Sequence, residues 1–197
     1  MKFGNKNRRK AGGQIRIISG QWRGRKLPVL DHEGLRPTTD RNKETLFNWL
    51  APYLADSRCL DGFAGSGSLG LEALSRHAAQ VVFVEKHKAA AMQIQKNCQT
   101  LKLSPEQAQV RQTDLLSYLQ GKEQPFDLVF LDPPFERNLL PTAIEALDQH
   151  QWLSPEALIY VESEQDLNLD WPEHWQLLKQ KQAGQVVYRL FQRQVEP

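Results

Sequence analysis

Five short apolar runs, each set off by a helical pattern, recur through the middle of this 197-residue chain and restrict its fold more than any other feature. Arg58–Asp61, Val81–Val84, Ala108–Gln112, Phe126–Leu131 and Ala157–Val161 read as strands, the clearest of them rich in β-branched and aromatic residues. Helices are expected near Ser68–Arg76, Lys88–Leu101, Leu115–Leu119 and Asn138–Gln149. Such alternation predicts an α/β fold: a mostly parallel sheet with helices on both faces. Two last runs, near Trp175–Lys181 and Gln185–Gln192, are separated by Ala183-Gly184 and read as a terminal antiparallel pair.

The region ahead of this pattern is different. Gln14–Ile18 and Arg25–Val29 are short strand candidates joined by Ser19-Gly20-Gln21-Trp22-Arg23-Gly24, which is turn chemistry carrying a tryptophan. A basic β-hairpin is expected over 14–35. Thr38 or Thr39 can cap a helix running to about Leu54, with Leu46, Phe47, Trp49 and Leu50 as its apolar stripe. Residues 1–26 hold nine basic side chains and no acid, leaving sixteen basic against twenty-three acidic residues in the rest. A basic arm on an acidic body suits a polyanion partner. Residues 1–13, with Arg8, Arg9 and Lys10, read as a disordered basic tail. The main domain is expected over 36–197.

Several classes are set aside. No apolar stretch reaches the length of a membrane span, and the basic N-terminus lacks the apolar core of a secretory signal. Cys59 and Cys98 stand alone, with no paired spacing, which suits a reducing compartment. The five histidines are scattered, so no metal site is expected. A cytoplasmic monomer without a metal is the expectation.

Chemistry concentrates at the predicted strand ends. Asp61-Gly62-Phe63-Ala64-Gly65-Ser66-Gly67-Ser68-Leu69-Gly70 follows the first strand, and Gly65, Gly67 and Gly70 spell G-x-G-x-x-G. Glycine allows positive φ and close backbone approach to a ligand. By itself this suits dinucleotide binding. Asp61, however, would repel a pyrophosphate and attract the cationic amino group of a methionine moiety. Glu85 ends the second strand, where an acid can bind ribose hydroxyls. Asp114, after the third, is either a helix cap or an acceptor for an adenine amino group. Asp132-Pro133-Pro134-Phe135 follows the fourth. Two prolines stiffen this loop, holding a carboxylate and a ring where open α/β sheets place ligands. A rigid acceptor beside a stacking ring suits a planar base with an exocyclic amino group.

These motifs resemble those of class I S-adenosylmethionine-dependent methyltransferases, with Leu60–Gly67 as the glycine motif, Val82–Glu85 as the ribose motif and Asp132–Phe135 as the catalytic motif. The segment from Arg16 to Leu27 and that from Arg36 to Leu50 further resemble the bacterial RsmD family. The resemblance implies a seven-stranded Rossmann-like sheet with an antiparallel C-terminal hairpin, and S-adenosylmethionine as cofactor. It implies methylation of N2 of a guanine in 16S ribosomal RNA, the one conventionally numbered 966, with the 30S subunit as partner. Cofactor contacts would come from Asp61, Phe63, Ala64, Gly65, Gly67, Glu85, Asp114 and Leu115. Asp132, Pro133, Pro134 and Phe135 would be catalytic. Arg8, Arg9, Lys10, Arg16, Trp22, Arg23, Arg25, Lys26, Arg36 and Lys43 would contact RNA. For Trp22 the alternative is hairpin core; for Arg36 and Lys43 it is a place at a helix N-terminus. An adenine N6 or a glutamine amide presents a similar nitrogen and is the competing substrate. A nicotinamide oxidoreductase and a non-catalytic ribosome assembly factor are the competing classes.

Overall fold

A computed structural model describes residues 13–30, 40–122, 124–134, 139–167 and 169–195. Nine strands and five α-helices are described. The ribbon β1 (Gln14–Arg16) and β2 (Lys26–Pro28) is antiparallel, with Ile15 opposite Leu27. There follow α1 (Asp40–Leu50), β3 (Arg58–Asp61), α2 (Ser68–Ser75), β4 (Gln80–Val84), α3 (Lys88–Thr100) and β5 (Ala108–Arg111). The chain continues with α4 (Leu115–Leu119), β6 (Phe126–Leu131), α5 (Leu140–Gln149), β7 (Leu153–Glu164), β8 (Trp175–Ala183) and β9 (Val186–Arg193).

Seven strands form one sheet in the order β5-β4-β3-β6-β7-β9-β8. The first five of these are mutually parallel, and β9 runs antiparallel to both β7 and β8. One face packs Phe47 and Leu50 of α1, Leu71 and Leu74 of α2 and Ile94 of α3 against Phe83, Phe130 and Tyr160. The other packs Leu119 of α4 and Ile144 and Leu147 of α5 against Val82, Val129 and Ile159. Strands buried on both sides are continuously apolar, which is why they stood out in the sequence.

Three differences from the sequence reading have physical causes. The helix expected to reach Leu54 ends at Leu50 and tightens into a 3-10 turn over Ala51–Tyr53. Pro52 lacks an N–H and clashes with the carbonyl four residues back. Thr38 and Thr39 lie outside the described residues. The fifth parallel strand, expected over Ala157–Val161, spans Leu153–Glu164. Pro155 hides its start, because the ladder shifts register there: Phe126 pairs with Leu153, but Leu128 with Leu158. Its end is polar in sequence, yet Glu162 and Ser163 are buried. The hairpin strands are three residues each rather than five.

Helix α2 is buried along its whole length. Gly70 lets it press onto the sheet, since a Cβ there would lie 2.3 Å from Phe83 Cε1. The hairpin covers its outer side, and Ile15, Ile17 and Leu27 join the same core.

Candidate active site

The chain leaves β3 toward β4 on one side, while β6 flanks β3 on the other. A crevice opens at the carboxyl ends of two strands whose connections diverge in this way. The glycine loop enters it from β3 and the Asp132-Pro133-Pro134 turn from β6. Gly62 N–H donates to Phe130 O at 3.0 Å, tying the two segments together.

The glycine loop is held from three directions. Ala64 N–H donates to Val84 O (2.9 Å), and Gly67 N–H to Ala64 O (2.6 Å). Glu85 Oε2 accepts Gly65 N–H at 2.8 Å while Oε1 accepts His87 N–H at 2.6 Å. Gly67 adopts φ 74°, a left-handed conformation that glycine takes without strain, and its O accepts Leu71 N–H to start α2. Asp61 is 3 % exposed, and its Oδ2 accepts Gly70 N–H at 3.1 Å. Burial above all, against the lowering effect of Gly70 and with the charges of Asp132 and Glu85 adding to it, pushes this carboxyl up to about 7. Two acids from adjacent strand ends therefore act on Asp61 across the crevice. A glycine loop with backbone room beside this group of acids fits a ligand with a positive charge and sugar hydroxyls.

Asp114 caps α4, its Oδ1 accepting Ser117 N–H (2.9 Å) and Oδ2 the Ser117 hydroxyl (2.8 Å). These bonds hold its carboxyl below the usual range. Leu115 is buried beneath the glycine loop, 3.0 Å from where a Cβ on Gly62 would stand. Phe63 is half-buried and Ala64 buried. Pro133 is buried, Pro134 exposed and Asp132 half-buried. Phe135 lies outside the described residues, as do Arg8, Arg9, Lys10 and Arg36.

The sequence reading missed a polar cluster beside Asp132. Leu131 pairs with Val161, so the next residues, Asp132 and Glu162, emerge side by side. Tyr160 donates its hydroxyl to Glu162 Oε1 at 2.9 Å, and Asn42 Nδ2 donates to Tyr188 OH at 2.6 Å. Burial, Glu162 and Asp132 all raise the Tyr160 phenol, keeping it a donor. The alternation Tyr160-x-Glu162 on one strand face was the available signal.

The hairpin is fastened to the body at the far end of α2. Its Ser19–Trp22 turn docks on the carboxyl end of α2: Gln21 N–H donates to Ser75 O (2.8 Å) and Trp22 N–H to Ser75 Oγ (3.1 Å). These partners satisfy acceptors at a helix end. Gly20 is required there, since a Cβ would lie 1.8 Å from Ser75 O. α2 is about 12 Å long at 1.5 Å per residue, and its other end is the glycine loop. Trp22 and Arg23 thus sit at the end of α2 away from the crevice, and Trp22 packs partly against the core. Arg16, Arg23, Arg25 and Lys26 are exposed.

Lys43, expected at an RNA surface, is instead 2 % exposed. Its Nζ donates to Arg16 O (2.6 Å) and Ser68 Oγ (3.0 Å) and lies 4.0 Å from Glu72 Oε2. Burial pulls its ammonium down, partly offset by Glu72. Glu72 accepts the backbone N–H of Ile18 (2.8 Å) and Ser19 (3.0 Å) and Nε of Arg76 (2.8 Å). This cluster fastens the hairpin to the body. Sequence reasoning missed it because a Glu in a helix reads as surface. Among the described residues no group of three or more His, Cys, Asp or Glu is placed to hold a metal, and no helix is long and apolar enough to cross a membrane.

The sheet order and glycine crevice define a Rossmann-like S-adenosylmethionine-dependent methyltransferase, and the comparisons agree. The chain resembles a putative methyltransferase of Escherichia coli in structure, at a TM-score of 0.86 and 53 % identity, covering 93 % of this chain and 100 % of that one. Ribosomal RNA small subunit methyltransferase D of Haemophilus influenzae is 61 % identical over 184 residues, covering 92 % of this chain and 95 % of the relative. The protein of the same name from Escherichia coli is 56 % identical over 185 residues, covering 93 % and 92 %. Residues 15–192 match the family described as Conserved hypothetical protein 95. This chain belongs to that family, the RsmD family of methyltransferases, and its cofactor is S-adenosylmethionine.

Proposed function

We propose that the protein methylates 16S ribosomal RNA at the exocyclic N2 of a guanine, the one conventionally numbered 966, within assembled 30S particles. The observation that carries the reading is the rigid Asp132-Pro133-Pro134 turn beside the glycine crevice, with the Tyr160–Glu162 pair on the adjoining strand. The names of the relatives support an RNA substrate of the small subunit.

The cofactor supplies an electrophilic methyl group on a positive sulfur. The chain's own task is to hold a weak nucleophile. The guanine amino nitrogen shares its lone pair with the ring. Asp132 accepts one of its N–H bonds and the Pro133 carbonyl the other, which fixes the nitrogen and favours a more tetrahedral geometry. Phe135 stacks on the base, a contact worth about 1–3 kcal/mol in nucleic-acid systems. The proton leaves after the new N–C bond forms, so no strong base is needed. Positioning then supplies most of the rate. Asp61 holds the cofactor's ammonium and Glu85 its ribose hydroxyls, while Phe63, Ala64, Gly65, Gly67 and Leu115 shape the cradle. Asp114 meets the adenine amino group from its capping position. A paired or stacked target must be extruded first. Arg16, Arg25 and Lys26 of the hairpin contribute phosphate contacts.

Incubation with labelled cofactor and 30S particles lacking the modification tests the reading. Label in N2-methylguanosine is expected, with naked 16S RNA a poorer substrate. Label in N6-methyladenosine, or in protein glutamine, would transfer the reading to the competing substrates.

A further inference from the structure

We propose that the groove between α1 and β8 is a second RNA-contact surface, holding backbone phosphates of the strand that flanks the target base. It rests on the reading that the substrate is RNA. From Trp175 to Arg193 the chain carries Lys179, Lys181, Arg189 and Arg193 and no acid, although the chain beyond the N-terminal arm is acidic overall. Lys179 and Lys181 pair with Leu190 and Tyr188, whose side chains face the α1 side of the sheet. Alternation puts both lysines on that same face.

Lys181 reaches across to the helix. Its Nζ donates to Thr45 Oγ1 at 3.2 Å, beside the Asn42–Tyr188 hydrogen bond. Asn42, Thr45, Trp49, Tyr160, Lys181 and Tyr188 line a shallow, open depression. Helical spacing puts Arg41 next to this flank of α1 and the exposed acids Asp40 and Glu44 on the opposite one. The groove therefore sets the Lys181 ammonium beside polar side chains and a half-buried indole ring, with positive charge at its rim.

Sheet register ties the groove to the reactive centre. Lys181 pairs with Tyr188, Tyr188 with Glu162, and Glu162 emerges beside Asp132. Lys181 and Asp132 thus stand at one level of the sheet. Three inter-strand steps of about 4.8 Å separate them by roughly 14 Å. A strand whose base enters at Asp132 can lay its neighbouring phosphates there. Glu162, the other acid in that row, is buried and engaged by Tyr160. Lysines on an edge strand also discourage pairing with a second sheet. That use calls for side chains extended into solvent, whereas Lys181 is half-buried against α1.

The test measures binding of the full chain to substrate RNA particles across about 50–200 mM salt, for wild type and Lys179→Gln/Lys181→Gln. Each lost single-strand phosphate contact flattens the slope of log K against log salt by about 0.7. The double variant should flatten it by about 1.4 and raise KM for the particle, with kcat and cofactor affinity unchanged. Lys179→Glu, at an exposed position, repeats the test if the double variant folds poorly. Wild type that binds and methylates RNA, with variants of unchanged slope and KM, overturns the groove alone. Wild type that neither binds nor methylates RNA overturns the RNA reading and the groove together.

Discussion

Glu72 and Asp61 are both buried acids joined to α2, yet their surroundings treat them in opposite ways. Glu72, on the outer side of the helix, is met by two backbone N–H groups, the Arg76 guanidinium and the Lys43 ammonium. Asp61, at the end of β3, is met by Gly70 N–H, and burial above all, with the charges of Asp132 and Glu85 adding to it, raises it to about 7. A buried charge is tolerated when it is paired and hydrogen-bonded, and shifts its pKa when it is not. The hairpin side of the molecule is thus a completed joint. The sheet edge keeps a demand for positive charge that a ligand can meet.

The largest effect that would sharpen this contrast is loss of catalysis at the sheet edge. Asp132→Ala should lower kcat on the order of 10²–10³-fold, the scale of removing one preorganised polar partner. Melting temperature and cofactor affinity should stay near wild type, as thermal and titration data would show. Glu72→Ala attacks the other side. It strands Lys43 in the interior and should cost about 3–5 kcal/mol, the range for breaking a buried pair. Adding Lys43→Met should return part of that loss, as denaturant unfolding would reveal.

Asp61 separates stability from function. Its folded pKa, about 7, stands above its ordinary value of 3.8. A raised carboxyl contributes stability that is complete below the unfolded value and lost as pH rises through the folded one. The ligand-free protein should therefore weaken between about pH 4 and pH 7 from this group, and Asp61→Asn should melt higher than wild type at pH 8. The same substitution should abolish most cofactor affinity. In wild type that affinity should rise with pH through 7, because the cofactor's ammonium favours the ionised acid; calorimetry in buffers of different ionisation heat would detect the released proton. If Asp61→Asn bound the cofactor normally, the contrast would collapse.

Smaller effects probe the joint and the rim. Gly20→Ala combines φ 80° with a Cβ 1.8 Å from Ser75 O, and should cost about 1–3 kcal/mol while loosening the hairpin. Proteolysis within the hairpin would accelerate. Asp114→Ala removes the α4 cap and should cost about 1 kcal/mol.

The parallel core was legible because its strands are buried on both faces and so read as short apolar runs between helical patterns. Arg58–Asp61, Phe126–Leu131 and Leu115–Leu119 stand where the apolar runs end. The strand-end acids were legible for the same reason: alternation fixes where each strand stops, and Asp61, Glu85 and Asp132 follow three neighbouring ones. What the sequence hid is long-range. Nothing local shows that Glu72 meets Ile18, that Lys43 turns inward, or that Ser19–Trp22 docks on a helix end. A basic, aromatic turn shows its charge in the sequence but not its backbone partners. β7 was cut short because Pro155 and Glu162 look like strand breakers, although one sits at a register shift and the other in the polar cluster beside Asp132.

The most direct measurement is nucleoside analysis of 16S ribosomal RNA from a strain lacking this gene, supplied with either the wild-type chain or Asp132→Ala. Restoration of N2-methylguanosine by wild type and its absence with the variant, at equal protein level, is the predicted result. Restoration by both would contradict the placement of catalysis at Asp132, and restoration by neither would contradict the substrate.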